Sequence, residues 1–402
     1  MNLLLLAVIY LSFISLGFGS SLIGVAWPSL QSELDLPTAW GGYISTARTL
    51  AVIVACYLLG RIARRLSTEK IGLLACLLML ASWIGFALAP SYIWLLLSAL
   101  PLGFGGGLLD SAFNDYMALH YSANQMNLLH SFWGIGSIVG PLLMSGLVSR
   151  PGGWRLAFFW IAGIEVFIII VLLCSLPLWR RVRQQETGGE SGDHRLPAGD
   201  YRQQNAHLHP LKMKGMPCSV ACFFLYNGLE TCIAMWTAGR LIETFNLDAA
   251  RAAAMVSFYF LGIWLARTGS GFVANRLGNP RLLKLSMLIL LVGAVLFAIP
   301  VLVVQQAALI ICGLGSGPIM PTMIHESPKR FGPVGQTNPV GFQMAAAFTG
   351  GTVLAPIAGL ICSALSFKAL PYLLIIFAVT LLVFDSLLNH CLVGLRKRRA
   401  DR

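Results

Sequence analysis

Twelve separate apolar stretches, each long enough for a helix of about 30 Å, set the limits on what this chain can fold into. They centre on residues 3–27, 38–59, 71–89, 93–118, 128–148 and 154–178, and then on 216–239, 251–274, 281–304, 307–326, 338–365 and 369–394. An α-helix satisfies its interior backbone groups within itself, which hydrocarbon demands, so the pattern predicts twelve membrane crossings. With 57% of 402 residues hydrophobic and 11% charged, there is too little polar surface to coat a soluble core. No length is left for a soluble catalytic domain. The formal charge of +12 does not indicate nucleic acid, because no soluble basic domain carries it. The nine cysteines lie in or beside apolar runs without a C-x-x-C pair and read as buried small hydrophobes. Neither a disulfide framework nor a metal site is indicated. The first stretch lacks a basic leader and a small-residue cleavage site, so it reads as helix 1 and not as a removable signal.

The twelve stretches divide six and six around a polar interval. The expected organisation is an N-terminal six-helix bundle over 1–179, a linker over 180–215, a C-terminal six-helix bundle over 216–395 and a basic tail over 396–402. With helix 1 starting in the cytoplasm, 21 of the 28 Lys and Arg fall on the cytoplasmic side. That places both termini inside, in a multi-pass protein of the cell membrane. The expected surroundings are the lipid bilayer and a small-molecule substrate, with the chain a monomer.

A shift of 211 residues superposes Gly60 on Gly271, Arg65 on Arg276, Leu66 on Leu277, Asp115 on Glu326, Asn127 on Asn338 and Gly140 on Gly351. Six crossings per repeat give the two halves the same orientation. The run Gly60-Arg61-Ile62-Ala63-Arg64-Arg65-Leu66 and its partner Gly271-Phe272-Val273-Ala274-Asn275-Arg276-Leu277-Gly278 resemble the loop motif G-x-x-x-D-R-x-G of the major facilitator superfamily. The resemblance implies an all-α membrane fold, two pseudo-symmetric six-helix bundles that alternate access to a midplane site. The motif's acid is replaced by Arg64 and by Asn275. Gly60 and Gly271 then allow close helix approach. Arg65 with Asp115, and Arg276 with Glu326, are the expected gating pairs; the other reading is cytoplasmic arginines and helix-end acids with no joint role.

Ionisable groups inside a bilayer are expensive and mark function. Asp110, Glu165, Glu230, Asp385, Arg48 and Arg267 qualify, with His130 a weaker case. Asp110 and Asn114, four apart, share one face of helix 4. Helix 5 adds Asn127, His130, Ser131 and Trp133. Helix 7 carries Tyr226-Asn227-Gly228-Leu229-Glu230 and, six residues on, Trp236. Carboxylates, amides and aromatic faces suit a polyhydroxylated ligand. Trp27, 209 residues before Trp236, either makes a second indole face or, like Trp236, anchors at the interface. Glu230 either meets substrate or is neutralised by Arg267. Arg48 has no role beyond pairing with one of the acids.

The segment Asp110-x-x-x-Asn114 through Met126-Asn127-Leu128-Leu129-His130-x-Phe132-x-x-x-Gly136, with Tyr226-x-Gly228-x-Glu230 and Trp236, resembles the fucose permease branch of that superfamily. The resemblance implies an ion-coupled sugar importer, with an acid at Asp110, an amide at Asn114 and a polar residue at His130 facing substrate. It implies peripheral places for Glu165 and Asp385. The branch's helix 1 carboxylate is missing between Gly17 and Trp27, which leaves Asp110 or Glu230 for proton coupling. The expected function is proton-coupled import of a sugar or sugar derivative, with no cofactor beyond the coupling proton or sodium. The alternative is proton-coupled efflux of drugs or metabolites, supported by Gly136-x-x-x-Gly140-Pro141 on helix 5. An enzyme finds no support: there is no H-E-x-x-H, phosphate-binding loop or nucleophile elbow.

Overall fold

Among the described residues twelve α-helices stand where the twelve apolar stretches lie. The computed structural model describes residues 3–37, 40–148, 152–188, 210–247, 249–331 and 339–400. The helices are α1 (Leu3–Glu33), α2 (Trp40–Ile62), α3 (Thr68–Ala87), α4 (Tyr92–His120), α5 (Ala123–Val148), α6 (Gly153–Gly188), α7 (Met216–Phe245), α8 (Ala249–Leu277), α9 (Asn279–Leu296), α10 (Leu302–Phe331), α11 (Pro339–Leu365) and α12 (Leu370–Ala400). Helix starts follow local chemistry. Gly215 (φ 86°) and Gly278 (φ 76°) turn the chain at positive φ, and a proline in the first turn of α7 and of α9 sets the entry. α10 keeps three internal prolines, Pro318, Pro321 and Pro328. Such breaks are tolerated in membrane helices where neighbours re-satisfy the freed carbonyls.

Among the described residues ten helices are long and apolar enough to cross a membrane. α5 and α8 are the other two. At 26 and 29 residues they still reach about 40 Å. Large apolar side chains such as Leu97, Phe167, Ile170 and Leu360 are exposed, as lipid-facing positions are. α6 runs on to Gly188, into the expected linker, of which 189–209 lie outside the described residues. α12 likewise carries the expected basic tail in helical form to Ala400. All nine cysteines are free, and the reading of every one as buried needs correction. Cys174 lies exposed on α6, and Cys218 and Cys391 are partly exposed.

The chain divides into two compact units, Met1–Tyr116 with Leu129–Ala206, and Met117–Leu128 with His207–Arg402. In the first, α6 packs against α1 and α3. Glycines bring backbones together: a Cβ at Gly17 of α1 would meet the backbone of α5 at Gly136, and one at Gly103 of α4 would meet the Arg48 carbonyl of α2. In the second, α7 packs on α11 and α12, and α10 on α8 and α9. Gly228 meets Gly350 of α11, and Gly313 of α10 meets the Tyr259 carbonyl of α8. The same crossings recur, first helix on fifth and second on fourth, in each repeat.

The register corrects the sequence repeat in one place. Gly17 corresponds to Gly228 and Arg48 to Tyr259, both 211 apart, whereas Gly103 corresponds to Gly313 and Gly107 to Gly317, 210 apart. Helix α10 has lost one residue relative to α4. Asp115 therefore superposes on His325, not on Glu326.

Each repeat also carries a polar joint at one end. Glu33, at the end of α1, accepts from Trp154 Nε1 at 2.5 Å and Arg155 Nη2 at 2.8 Å, both at the start of α6. Arg155 lies over the Trp154 ring and donates to the Ala89 carbonyl beyond α3 at 2.9 Å. Glu243, near the end of α7, accepts from the Ser366 hydroxyl and the Phe367 backbone N–H, just before α12. Arg240 donates to the Phe297 carbonyl at the end of α9 at 3.1 Å.

Candidate functional site

Polar side chains stand within the helices of both units. In the first, Asp110 sits near the middle of α4, and its Oδ1 accepts from Asn114 Nδ2 at 2.7 Å, the expected i,i+4 contact. Asn114 is fully buried and its own Oδ1 accepts no hydrogen bond among the described residues. An amide steadies this carboxylate, and no cation neutralises it among the described residues. His130 on α5 is partly buried and meets the edge of Phe13, ring centroids 5.8 Å apart. Trp133, partly exposed, gives its carbonyl to the Ser137 hydroxyl at 3.2 Å. Asn127, in the segment Met117–Leu128 that belongs to the second unit, is buried and donates to the Ala123 carbonyl at 2.9 Å, a bond within its own helix. Glu165, set aside from the sequence as peripheral, is buried on α6 and accepts from Ser15 of α1.

In the second unit Glu230 of α7 and Arg267 of α8 form an ion pair, 3.8 Å apart. The sequence left open whether these two meet. Arg267 Nε donates to the Gly317 carbonyl at 3.3 Å. Tyr226, fully buried, donates from its hydroxyl to the Ser316 carbonyl at 2.9 Å and lies within reach of Glu230 and Arg267. Tyr259 donates to the Ser316 hydroxyl at 3.1 Å. Helices α7, α8 and α10 thus meet around one charge pair and one serine. Tyr259 and Ser316 were missed in the sequence, yet a signal existed: Tyr259 stands 211 residues after Arg48.

The remaining expected site residues are turned toward protein. Trp236 donates its indole N–H to the Ala355 carbonyl of α11 at 2.7 Å and covers Gly359. Trp27 is buried with its ring against Gly41 of α2. Asn227 is partly buried and faces Gly351 of α11.

The expected gating pairs differ from what is found. Glu326 takes Asn279 Nδ2 at 2.7 Å and Lys329 at 3.2 Å, while Arg276 is exposed and is not among its partners. The reason is local: Gly278, two residues after Arg276, turns the chain and delivers Asn279, the first residue of α9, to the end of α10. The second amide hydrogen of Asn279 goes to His325 Nδ1 at 2.8 Å, so the ring proton is on Nε2, which donates to the Tyr121 carbonyl at 3.0 Å. Arg65 is exposed and makes no ion pair with Asp115 among the described residues; Asp115 Oδ1 is buried without a partner there. Gly60 is partly buried in α2, and the surroundings of Gly271 lie outside the described residues.

Comparison with known proteins decides the family. The Major Facilitator Superfamily profile matches over residues 9–331 and 218–399. The chain belongs to the major facilitator superfamily. It is a multi-pass membrane protein of a transporter superfamily. The Bacillus subtilis glucose/mannose transporter GlcP is 26% identical over 257 residues, 62% of this chain and 61% of that protein. The Staphylococcus aureus multidrug efflux pump SdrM is 28% identical over 42% of this chain and 37% of its own. Both matches span less than two thirds of those relatives. Among solved structures, the E. coli fucose:proton symporter FucP superposes with a TM-score of 0.74 at 15% identity, covering 95% of this chain and 98% of that one. The proton:xylose symporter XylE gives 0.79 at 11% identity over 95% and 94%. At such identities the likeness is one of fold.

Proposed function

We propose that this superfamily member is a proton-coupled secondary transporter of a small polar organic solute, a sugar or sugar derivative. The observation that carries the reading is Asp110: a carboxylate within a membrane span, held by Asn114 and by no cation among the described residues. Such a group is costly when charged in low dielectric, so proton uptake makes reorientation easier. Glu230 is answered by Arg267, which favours Asp110 over Glu230 as the coupling group. Substrate contacts are assigned to Asp110, Asn114, His130 and Trp133 in the first half and to Asn227 and Glu230 in the second. Tyr226 and Trp236 act as supports, because Ser316 and Ala355 take their polar atoms. The sugar relatives GlcP, FucP and XylE support the substrate class. Alternating access is assigned to the two halves, and the basic loops to the cytoplasmic face.

Energised vesicles of defined orientation test the reading. Sugar or sugar-acid accumulation in right-side-out vesicles supports it. Drug accumulation in inverted vesicles with no accumulation of such solutes would overturn it in favour of efflux. That second reading has the efflux pump relative and the close crossing of Gly136 with α1 on its side.

A further inference from the structure

Arg48 is an intramembrane charge with no part in proton coupling or in the Glu230–Arg267 pair. It lies within α2, on the stripe formed by the buried Ile44, Val52, Ala55, Cys56 and Leu59, and is itself partly buried. That stripe faces the bundle: Gly103 of α4 packs on the Arg48 carbonyl, and a Cβ added to Gly19 of α1 would stand 3.9 Å from Arg48 Nη1. The guanidinium is thus turned between α1 and α4, away from lipid. No hydrogen bond or ion pair engages it among the described residues. Of the acids within the spans of its unit, Asp110 takes Asn114 and Glu165 takes Ser15, while Asp115 follows Gly103 by twelve residues, about 18 Å along α4. Gly103 is level with Arg48 and Asp110 follows it by seven residues, about 10 Å along α4. Arg267 shows the contrast: it has both a carboxylate and a carbonyl.

An arginine side chain cannot discharge itself by losing its proton, and an unpaired one inside a membrane is expensive. Its fork of N–H donors matches a carboxylate with two parallel bonds, so the missing partner has the shape of a carboxylate. We infer that Arg48 is the anion-recognition residue of the transport site and that the substrate is a polyhydroxylated carboxylate, a sugar acid rather than a neutral sugar. This rests on the transport reading above and names its substrate class. One guanidinium answers one negative charge, which favours a carboxylate over a phosphate dianion. Arg48 then fixes the carboxylate, and Asp110 with Asn114 remains free for the proton and the hydroxyls.

The test is binding and counterflow with purified, reconstituted full-length protein against D-glucose, D-gluconate, D-glucuronate and glucose 6-phosphate. The sugar carboxylates bind about ten- to a hundredfold more tightly than glucose, and Arg48→Gln removes that difference while Arg48→Lys keeps part of it. Glucose binding equal to or tighter than that of both carboxylates overturns the inference and leaves the transport reading standing. Preference for glucose 6-phosphate overturns the carboxylate assignment. Binding by no member overturns both. The wild-type panel decides the matter even where Arg48→Gln fails to fold; where it folds, carboxylate binding undiminished by the change overturns the role of Arg48.

Discussion

Glu33 and Glu243, 210 residues apart, hold the same joint in the two repeats: each carboxylate closes the exit of its repeat's first helix onto the start of the sixth. The arginine that completes the joint comes from different places, Arg155 from α6 in one and Arg240 from α7 in the other. Geometry has been kept while the residue supplying it moved. The Trp154 indole and Arg155 guanidinium hold the Glu33 carboxyl below its ordinary range. A depressed carboxylate contributes stability above its unfolded-state value and loses it as pH falls through the folded one. Glu33→Gln is therefore expected to lower stability by about 1 kcal/mol at neutral pH, the pair being partly exposed, and to flatten the acid decline of thermal stability. Melting curves across pH for both proteins check this, and parallel curves would argue against it.

Asp110→Asn removes the proton acceptor while keeping a polar group beside Asn114. Expected is loss of proton-driven accumulation by about tenfold or more, with counterflow exchange retained. The check is paired uptake and exchange assays in vesicles. Undiminished accumulation would reject Asp110 as the coupling group.

Glu230 and Arg267 should behave as one unit. Removing either leaves the other as an unbalanced charge in low dielectric, so each single neutral change is expected to destabilise by about 2–3 kcal/mol. The double change Glu230→Gln with Arg267→Gln is expected to cost less than the sum of the two. A thermal double-mutant cycle on detergent-purified protein measures the coupling, and strict additivity would contradict the pair.

At the end of α10, Asn279→Ala strips the donor from both His325 and Glu326, and about 1–3 kcal/mol of stability goes with it. Arg276→Ala, at an exposed residue, is expected to stay within about 0.5 kcal/mol. The reverse ranking in melting temperature would restore the arginine as the partner of Glu326.

The fold was legible because the bilayer forbids unpaired backbone, and only long apolar helices meet that rule. The Asp110–Asn114 contact was legible for a related reason, since helical spacing alone fixes it. Partners brought in across helices were not. Sequence pointed to Arg276 by charge, but a glycine at positive φ handed the position to Asn279, and charge carries no information about where a turn delivers its neighbours. Trp236 likewise looked like a ligand face, yet its indole N–H is committed to a carbonyl on α11 that no spacing along α7 encodes. The constant offset of 211 hid a one-residue slip between α4 and α10, and with it the correspondence of Asp115 to His325.

Pro321 has a reach beyond its own helix. Lacking an N–H, it offers no bond to the carbonyl four residues back, that of Gly317. Arg267 Nε takes that carbonyl instead, and through Arg267 the vacancy is passed on to Glu230. A break in one helix is thereby linked to a charge on another, through the guanidinium that lies between the freed carbonyl and Glu230.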